Sequence, residues 1–495
     1  MERSETFSVG NAPVYVTKVT FFGLGKTNTE FLKKQLGPLV KSKYMSELLR
    51  NSSELKSMLQ GLQIFKECII TIDTEKGFFR NDAYRVNVHV EEKRPQTLRG
   101  NWSVNTDGSM RMGGYYSLNN IFNRGERFEI EGNLGSDATR MRSATFVKPF
   151  EMNPNVKLMF GGSDCNYDHW WSRFMRSESS IFAELMAPTR LGLHKLHWSN
   201  VWREIEASSS STPYNIRLES GSTLKTNVSY SIEIDSRDDH VFPQSGCLFR
   251  LSEELSFLNP PPPASAFDRG NATASENERS SQLRLNGAFQ KPLRLTEWLV
   301  AEATLSAGLV HSLTGHPISI ADRFFLGGPM ELRGYRFCSV GPSEPQMLPL
   351  LPTQTAGSSQ TGASGDAPSC PIGALASCVA GLHVYTPLPF VHSITEDGKS
   401  SFARLHAFAL TGCLLSDPIR EWRLARTSGE SFSSRCQATA ASVVGGGVAL
   451  RFAGAVRLEI NYCFPLAGSI LFSGATSPRN LPKAGFQLGF GVNYT

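Results

Sequence analysis

The 495-residue chain has no long hydrophobic run. Its longest uncharged, apolar-leaning stretch, residues 303–321, carries His311, His316, Pro317, two glycines and five serines or threonines. A spanning helix needs roughly 20 mostly apolar residues, so a transmembrane helix is excluded. The opening residues, "MERSETFSVGNAPVY", contain acids and no apolar core, and neither a secretory signal nor an Arg-rich transit helix is expected there. The nine cysteines include no CxxC pair, which argues against a zinc ribbon or a disulfide framework and leaves packed or free thiols. Charge is also scarce, at 19% of residues. The excess of +5, from 50 Lys+Arg against 45 Asp+Glu, is dispersed and lacks the basic cluster that a nucleic-acid partner requires.

What is present falls into two regions with different periods. Residues 14–94 read as a small α/β unit. The strand "VYVTKVTFF" precedes two helical patterns, "TNTEFLKKQL" and "SELLRNSSELKSMLQGL", the second with Leu48, Leu55, Leu59 and Leu62 on one side. "ECIITID" and "AYRVNVHVEEK" then return as strands. Residues 1–13 are a tail, and Pro95 marks the end of the unit.

From about residue 97 the period is two, and no helix is expected beyond it. In "GAVRLEINYCF", Val456, Leu458, Ile460, Tyr462 and Phe464 share one face, opposite Arg457, Glu459, Asn461 and Cys463. "GFQLGFGVNYT" sets Phe486, Leu488, Phe490, Val492 and Tyr494 against Gln, Gly, Gly, Asn and Thr. Sixteen such segments are expected: 97–104, 110–121, 125–134, 140–149, 154–163, 178–188, 191–206, 222–236, 246–257, 281–290, 298–310, 378–388, 401–412, 441–452, 454–464 and 485–494. Alternation alone suits a sandwich in water as well as a barrel in lipid. Large aromatic faces, polar opposite faces and long connectors restricted to one side favour the barrel. The fold class is therefore mainly β: a 16-stranded antiparallel transmembrane barrel over residues 95–495, preceded by the α/β unit. Its connectors include low-complexity inserts at about 259–280 and 343–377, expected to be disordered.

Several apparent sites do not hold. "FFGLGKTNTE" has Thr20 where a phosphate loop needs glycine, so no nucleotide is expected; Thr27 or Asn28 serves as a helix cap. His194 and His197 lie on opposite faces of one strand and cannot share a metal. "DHWWSRF", residues 168–174, reads as a loop or a membrane rim. No nucleophile with a base and an orienting group can be placed. The chain is thus expected to have no catalytic residue, no metal and no cofactor, and not to be an enzyme.

Laid out in this way, the chain resembles the outer-membrane barrel-assembly insertase superfamily (the bacterial surface antigen, or POTRA-barrel, family). Within it, the chain is most similar to the central barrel subunits of the mitochondrial sorting and assembly machinery. Residues 14–94 look like one polypeptide-transport-associated (POTRA) domain. "RFFLGGPMELRGY" matches the superfamily's lumen-loop signature at Gly327, Gly328, Leu332, Arg333, Gly334 and Tyr335. "IDSRDDHVFPQSG" matches its turn between strands eight and nine at Asp235, Arg237, Asp238, Pro243 and Gly246. "GLHVYTPLPF" and "LEINYCFPL" are similar to the mitochondrial members.

The resemblance implies insertion and assembly of β-barrel precursors, such as mitochondrial porin, in the mitochondrial outer membrane. The N-terminus would face the intermembrane space, with accessory machinery subunits and the lipid bilayer as partners. Precursors would enter at a lateral seam between the first and last strands, drawn here from Thr97, Leu98 and Gly100 and from Gly485, Phe486, Leu488, Gly489, Phe490, Gly491 and Val492. An organelle outer-membrane channel, porin-like or polypeptide-translocating, is the alternative. The resemblance also implies an acid facing Arg333 from an F-x-D-x-G strand. Leu410 stands at that position, and Glu459 is the substitute expected from the polar face of the fifteenth strand.

Overall fold

Two apolar surfaces meet to form the N-terminal unit. In this computed structural model the described residues are 12–75, 83–104, 110–136, 139–262, 279–347, 369–388, 402–428, 440–452, 456–466 and 482–491. Strand β1 (Tyr15–Phe22) is followed by two short helical turns, α1 (Thr29–Lys33) and α2 (Gly37–Val40), and then by α3 (Met45–Gly61), β2 (Phe65–Thr74) and β3 (Ala83–Glu92). The sheet order is β1-β3-β2, with β1 parallel and β2 antiparallel to the central strand. Leu48, Leu55 and Leu59 of α3 pack on Val86, Val88 and Val90 of β3. Asn28 caps α1 by accepting from the Glu30 amide at 2.8 Å. The glycines before it bring the Lys26 and Thr27 amides to the Glu92 carboxylate, at 3.0 Å each, so the phosphate-loop look-alike holds its own acid.

Beyond residue 95 the usual distribution of side chains is inverted. Polar groups such as Arg203, Lys225, Gln290, Glu302, His383 and Glu459 are buried, while Leu98, Trp102, Ile181, Leu382, Phe486 and Leu488 are exposed. This pattern is unfavourable for a sandwich in water and suits a barrel whose outer face meets hydrocarbon. The strands are β4 (Gln96–Val104), β5 (Met110–Asn119), β6 (Arg127–Gly135), β7 (Arg140–Pro149), β8 (Lys157–His169), β9 (Phe174–Pro188), β10 (Leu193–Ala207) and β11 (Gly221–Asp235). They continue with β12 (Leu248–Asn259), β13 (Ser280–Arg294) and β14 (Val300–Ser312). A two-strand ladder follows on the loop, β15 (Ser343–Pro345) with β16 (Ser369–Pro371). Strands β17 (Ala376–Pro387), β18 (Ala403–Leu415), β19 (Ala441–Phe452), β20 (Val456–Leu466) and β21 (Gly485–Gly491) complete the wall. The main sheet has 16 strands in the order β21-β20-β19-β18-β17-β14 and then down to β4, each antiparallel to the next.

All sixteen expected segments are strands. Three expectations need correction. The chain does form helices after residue 97: α4 (Tyr214–Leu218) and α5 (Pro418–Ser428). The latter is nucleated by Asp417, whose carboxylate accepts from the Arg420 amide at 3.0 Å, a cap hidden inside a loop with no period-two signal. Second, "DHWWSRF" is a loop only at residues 170–173, a tight turn: β8 runs to His169 and β9 restarts at Phe174. The rings of Trp171 pack edge-on against Phe325 and Phe337 of the long loop after β14, a packing use of tryptophan that composition does not distinguish from an interfacial one. Third, the insert at 343–377 has structured ends in β15 and β16. Residues 263–278 and 348–368 of the two inserts, the tail at 1–11 and Val492 lie outside the described residues.

The N-terminal unit rests on two adjacent turns of the barrel. Lys34 and Arg124 both pair with Glu151, at 2.6 and 2.5 Å. The Asn28 amide donates to the Asn123 carbonyl at 2.8 Å, and Lys157 to the Gly61 carbonyl at 2.8 Å. Wall height is uneven: β4 has 9 residues and β9 to β11 have 15 each. At about 3.4 Å per residue and a tilt of about 40°, these strands rise about 23 and 39 Å against an apolar band of about 25 Å. The wall barely spans beside β4.

Because Ile181 sits mid-strand on the lipid face of β9, Ile181→Lys is expected to cost about 2–4 kcal/mol. Ser180→Lys, on the lumen face, should cost less. Denaturant unfolding of the reconstituted barrel checks both.

Candidate lumen site

The loop after β14 enters the barrel, and its glycines set the path. Gly327 and Gly328 have φ of +125° and +111°, a region that side chains disfavour. A Cβ on Gly334 would lie 2.9 Å from Cys463 Cβ and 3.1 Å from Val443 Cγ2, so only glycine lets the loop lie this close to the wall. Leu332 and Tyr335 then enter an apolar cluster with Leu326, Phe408, Leu410 and Val443. The Tyr335 hydroxyl donates to the Ser442 carbonyl at 3.2 Å.

Arg333 is fully buried. Its Nε donates to Glu459 Oε2 at 2.8 Å and its Nη2 to Oε1 at 3.2 Å, a two-point pairing. The guanidinium also lies 5.1 Å from the centroid of Phe408. Arg457 pairs with the same carboxylate at 2.5 Å and donates to the Tyr385 hydroxyl at 2.7 Å, while Asn461 Nδ2 donates to Glu459 Oε2 at 2.8 Å. Leu410, at the position where the resemblance implies an acid, packs over its register partner Gly381. The apolar half of the loop occupies that position here.

The turn between β11 and β12 enters from the opposite end of the lumen. Arg237 forks onto Asp235 at 2.9 and 2.7 Å and reaches Gln290 at 2.8 Å. Asp238 accepts from the Gln244 and Ser245 amides, at 2.9 and 3.1 Å. Pro243 follows the buried Phe242, and a Cβ on Gly246 would collide with the Ser236 carbonyl. Phe242 projects beneath Arg404, Arg451 and Arg457, whose guanidinium carbons lie 4.8, 5.3 and 5.8 Å from the ring centroid. Asp239 binds Arg451; burial alone would raise its carboxyl, but that pairing and two backbone amides hold it below its usual value. Arg457 stands between turn and loop, touching Phe242 of the turn on one side and, on the other, Glu459, which holds Arg333 of the loop.

A second anchor escaped the sequence reading. Asp322, 2% exposed, accepts from Arg203 Nη1 and Lys225 Nζ, each at 2.9 Å, on β10 and β11. Burial would raise its carboxyl, yet the two cations hold it well below the ordinary carboxylate value. The signal was present: Arg203 and Lys225 are cations on lumen faces, and such faces need a counter-charge. The loop thus spans the lumen, tied to the wall at Asp322 and again at Arg333.

The seam residues are not gathered together. Thr97 Oγ1 accepts from Asn119 at 3.3 Å, Leu98 points outward at 79% exposure, and Gly100 faces Gly114 across β5. Phe486, at 82%, and Leu488 also face outward, while Gly485 and Gly489 occupy lumen-side register positions opposite Cys463 and Glu459. Phe490 and Gly491 pair with Leu458 and Arg457. The strand order ends on β4 and β21, and among the described residues no ladder joins them.

Comparison with known proteins gives consistent results. Residues 120–493 match the Omp85 superfamily domain. Sorting and assembly machinery component 50 homolog A of Xenopus laevis is 30% identical, over 98% of this chain and 91% of that protein. The corresponding homolog of Mus musculus is 30% identical, over 92% and 87%. BamA from Haemophilus ducreyi lacking POTRA domains 1–3 shares the fold at a TM-score of 0.65 and 15% identity, covering 96% of this chain and 84% of that one.

Two outcomes are expected. Glu459→Gln leaves two buried arginines short of a counter-charge, costs about 3–5 kcal/mol, and makes residues 321–342 accessible to limited proteolysis. The Asp322 carboxyl titrates lower when folded than unfolded, so its stabilisation is full above about pH 4 and fades as the pH falls below that value. Melting temperature should therefore drop more steeply on acidification for the parent protein than for Asp322→Asn.

Proposed function

The chain belongs to the Omp85 superfamily, and from that membership we propose that it inserts and assembles β-barrel precursors into the mitochondrial outer membrane. The observation that carries this reading is the strand order, which ends on β4 and β21, with β4 among the shortest strands of the wall. A precursor hairpin in hydrocarbon leaves N–H and C=O groups unpaired at several kcal/mol each. An edge that trades its own ladder for the precursor's avoids that penalty, which is strand addition used to assist folding. Gly485, Gly489 and Gly491 give β21 few side chains to hold it in place. A wall that only just spans the apolar band thins the bilayer beside the entry point, lowering the depth over which backbone must be shielded.

The work is done by hydrogen bonds and packing, without covalent chemistry, cofactor or metal. Porin-like precursors are the substrates, accessory machinery subunits are the standing partners, and the N-terminal unit faces the intermembrane space. Its docking on the turns at 120–126 and 150–156 places it at the barrel's mouth, two to four strands from β4.

Depletion of the protein, followed by import of mitochondrial porin and native electrophoresis, tests the proposal. Porin is expected to cross the membrane and stall unassembled. Restoring the chain as Arg333→Ala should recover assembly only in part. Normal assembly after depletion would overturn the reading.

A further inference from the structure

We propose that Gln487 is a positioning residue that clamps the last strand to the lumen loop, and so sets how readily the seam strand leaves. Gln487 stands on the lumen face of β21, opposite Asn461 of β20. Its lumen-side neighbours two residues away, Gly485 and Gly489, carry no side chain, so this amide is the strand's inward handle among the described residues. It makes two bonds to the main chain of the loop. The Gly334 amide donates to Gln487 Oε1 at 2.7 Å, and Gln487 Nε2 donates to the Tyr335 carbonyl at 3.3 Å. A carboxamide offers both a donor and an acceptor, which a main-chain segment can match like a short rung of sheet.

The clamp has a fixed base. Arg333, next to Gly334, is held by Glu459, and the far end of the loop is tied to β10 and β11 through Asp322. The close approach of Gly334 to Cys463 brings its amide within reach of the strand. Among the described residues, the last strand is otherwise paired to β20 over Gly485–Gly491. Losing two hydrogen bonds is expected to change the strand's opening equilibrium about tenfold.

This inference rests on the reading of 485–491 as the seam, and hydrogen exchange of the full chain in lipid nanodiscs tests it separately. Gln487→Met keeps the length and removes both bonds; Gln487→Glu keeps the acceptor and removes the donor. The amides of residues 486–491 should exchange about tenfold faster in the first and by less in the second, with β17 to β19 unchanged. Unchanged exchange at 486–491 in Gln487→Met overturns the clamp, as does an equal acceleration across β17 to β20, the mark of a merely structural role. If β21 loosens selectively and porin assembly keeps its parent rate, the clamp stands and the seam reading fails.

Discussion

The lumen of this barrel is organised around one buried carboxylate. Glu459 is fully enclosed and holds Arg333 from the loop and Arg457 from its own strand, with Asn461 beside it. Two guanidiniums and one carboxylate cannot be withdrawn from water unless their hydrogen bonds are met, and that requirement fixes the geometry of everything nearby. The loop must descend far enough for Arg333 to reach β20, which forces Gly334 flat against Cys463. Arg457 must have a second partner, which brings in Tyr385 from β17. The underside of Arg457 must be covered, which places Phe242 of the opposite turn.

The lumen is entered by chain segments from both ends in this arrangement. A polar interior suits a water-filled channel, but here the loop and the turn converge on the Arg457–Glu459 pair, the loop through Arg333 and the turn through Phe242. Asp322 adds a second fixed point on β10 and β11. A segment fixed at two walls transmits strain between them, since packed elements shift between discrete arrangements rather than deform smoothly. The far wall has the 15-residue strands, while the strand that ends the order at the seam has 9. The section of wall with the longest strands and the strand next to the last are thus joined by one loop.

Strand number, the α/β unit and the Arg333 loop were legible in the sequence because each has a local signature. Period two over 10 to 15 residues identifies strands such as Leu193–Ala207, and glycines with a central arginine identify a tight, enclosed loop. Helix α5 was missed because its cap, Asp417, stands within a loop whose composition suggests no structure. The ends of β8 and β9 were missed because Trp170 and Trp171 look alike in sequence, and only tertiary contact shows Trp171 packed on Phe325 and Phe337. The Asp322 anchor and the Gln487 contact join residues 97 to 153 positions apart, and no periodicity reports such pairs.

The location of the acid has a physical consequence. On β18, at the position of Leu410, a carboxylate would stand three strands from β21, or about 14 Å at the spacing of a sheet. On β20, Glu459 stands one strand away, opposite Gly489 of β21. Leu410 instead packs with Leu326 and Leu332, so the loop has its apolar seat on β18 and its charge pair on β20, nearer the edge. The ion pair and the Gln487 contact therefore act on adjacent strands. Any motion that separates β21 from β20 must work against a loop held within one strand's width of the break. With the acid on β18, the same motion would leave the ion pair's own strand two ladders away from the opening.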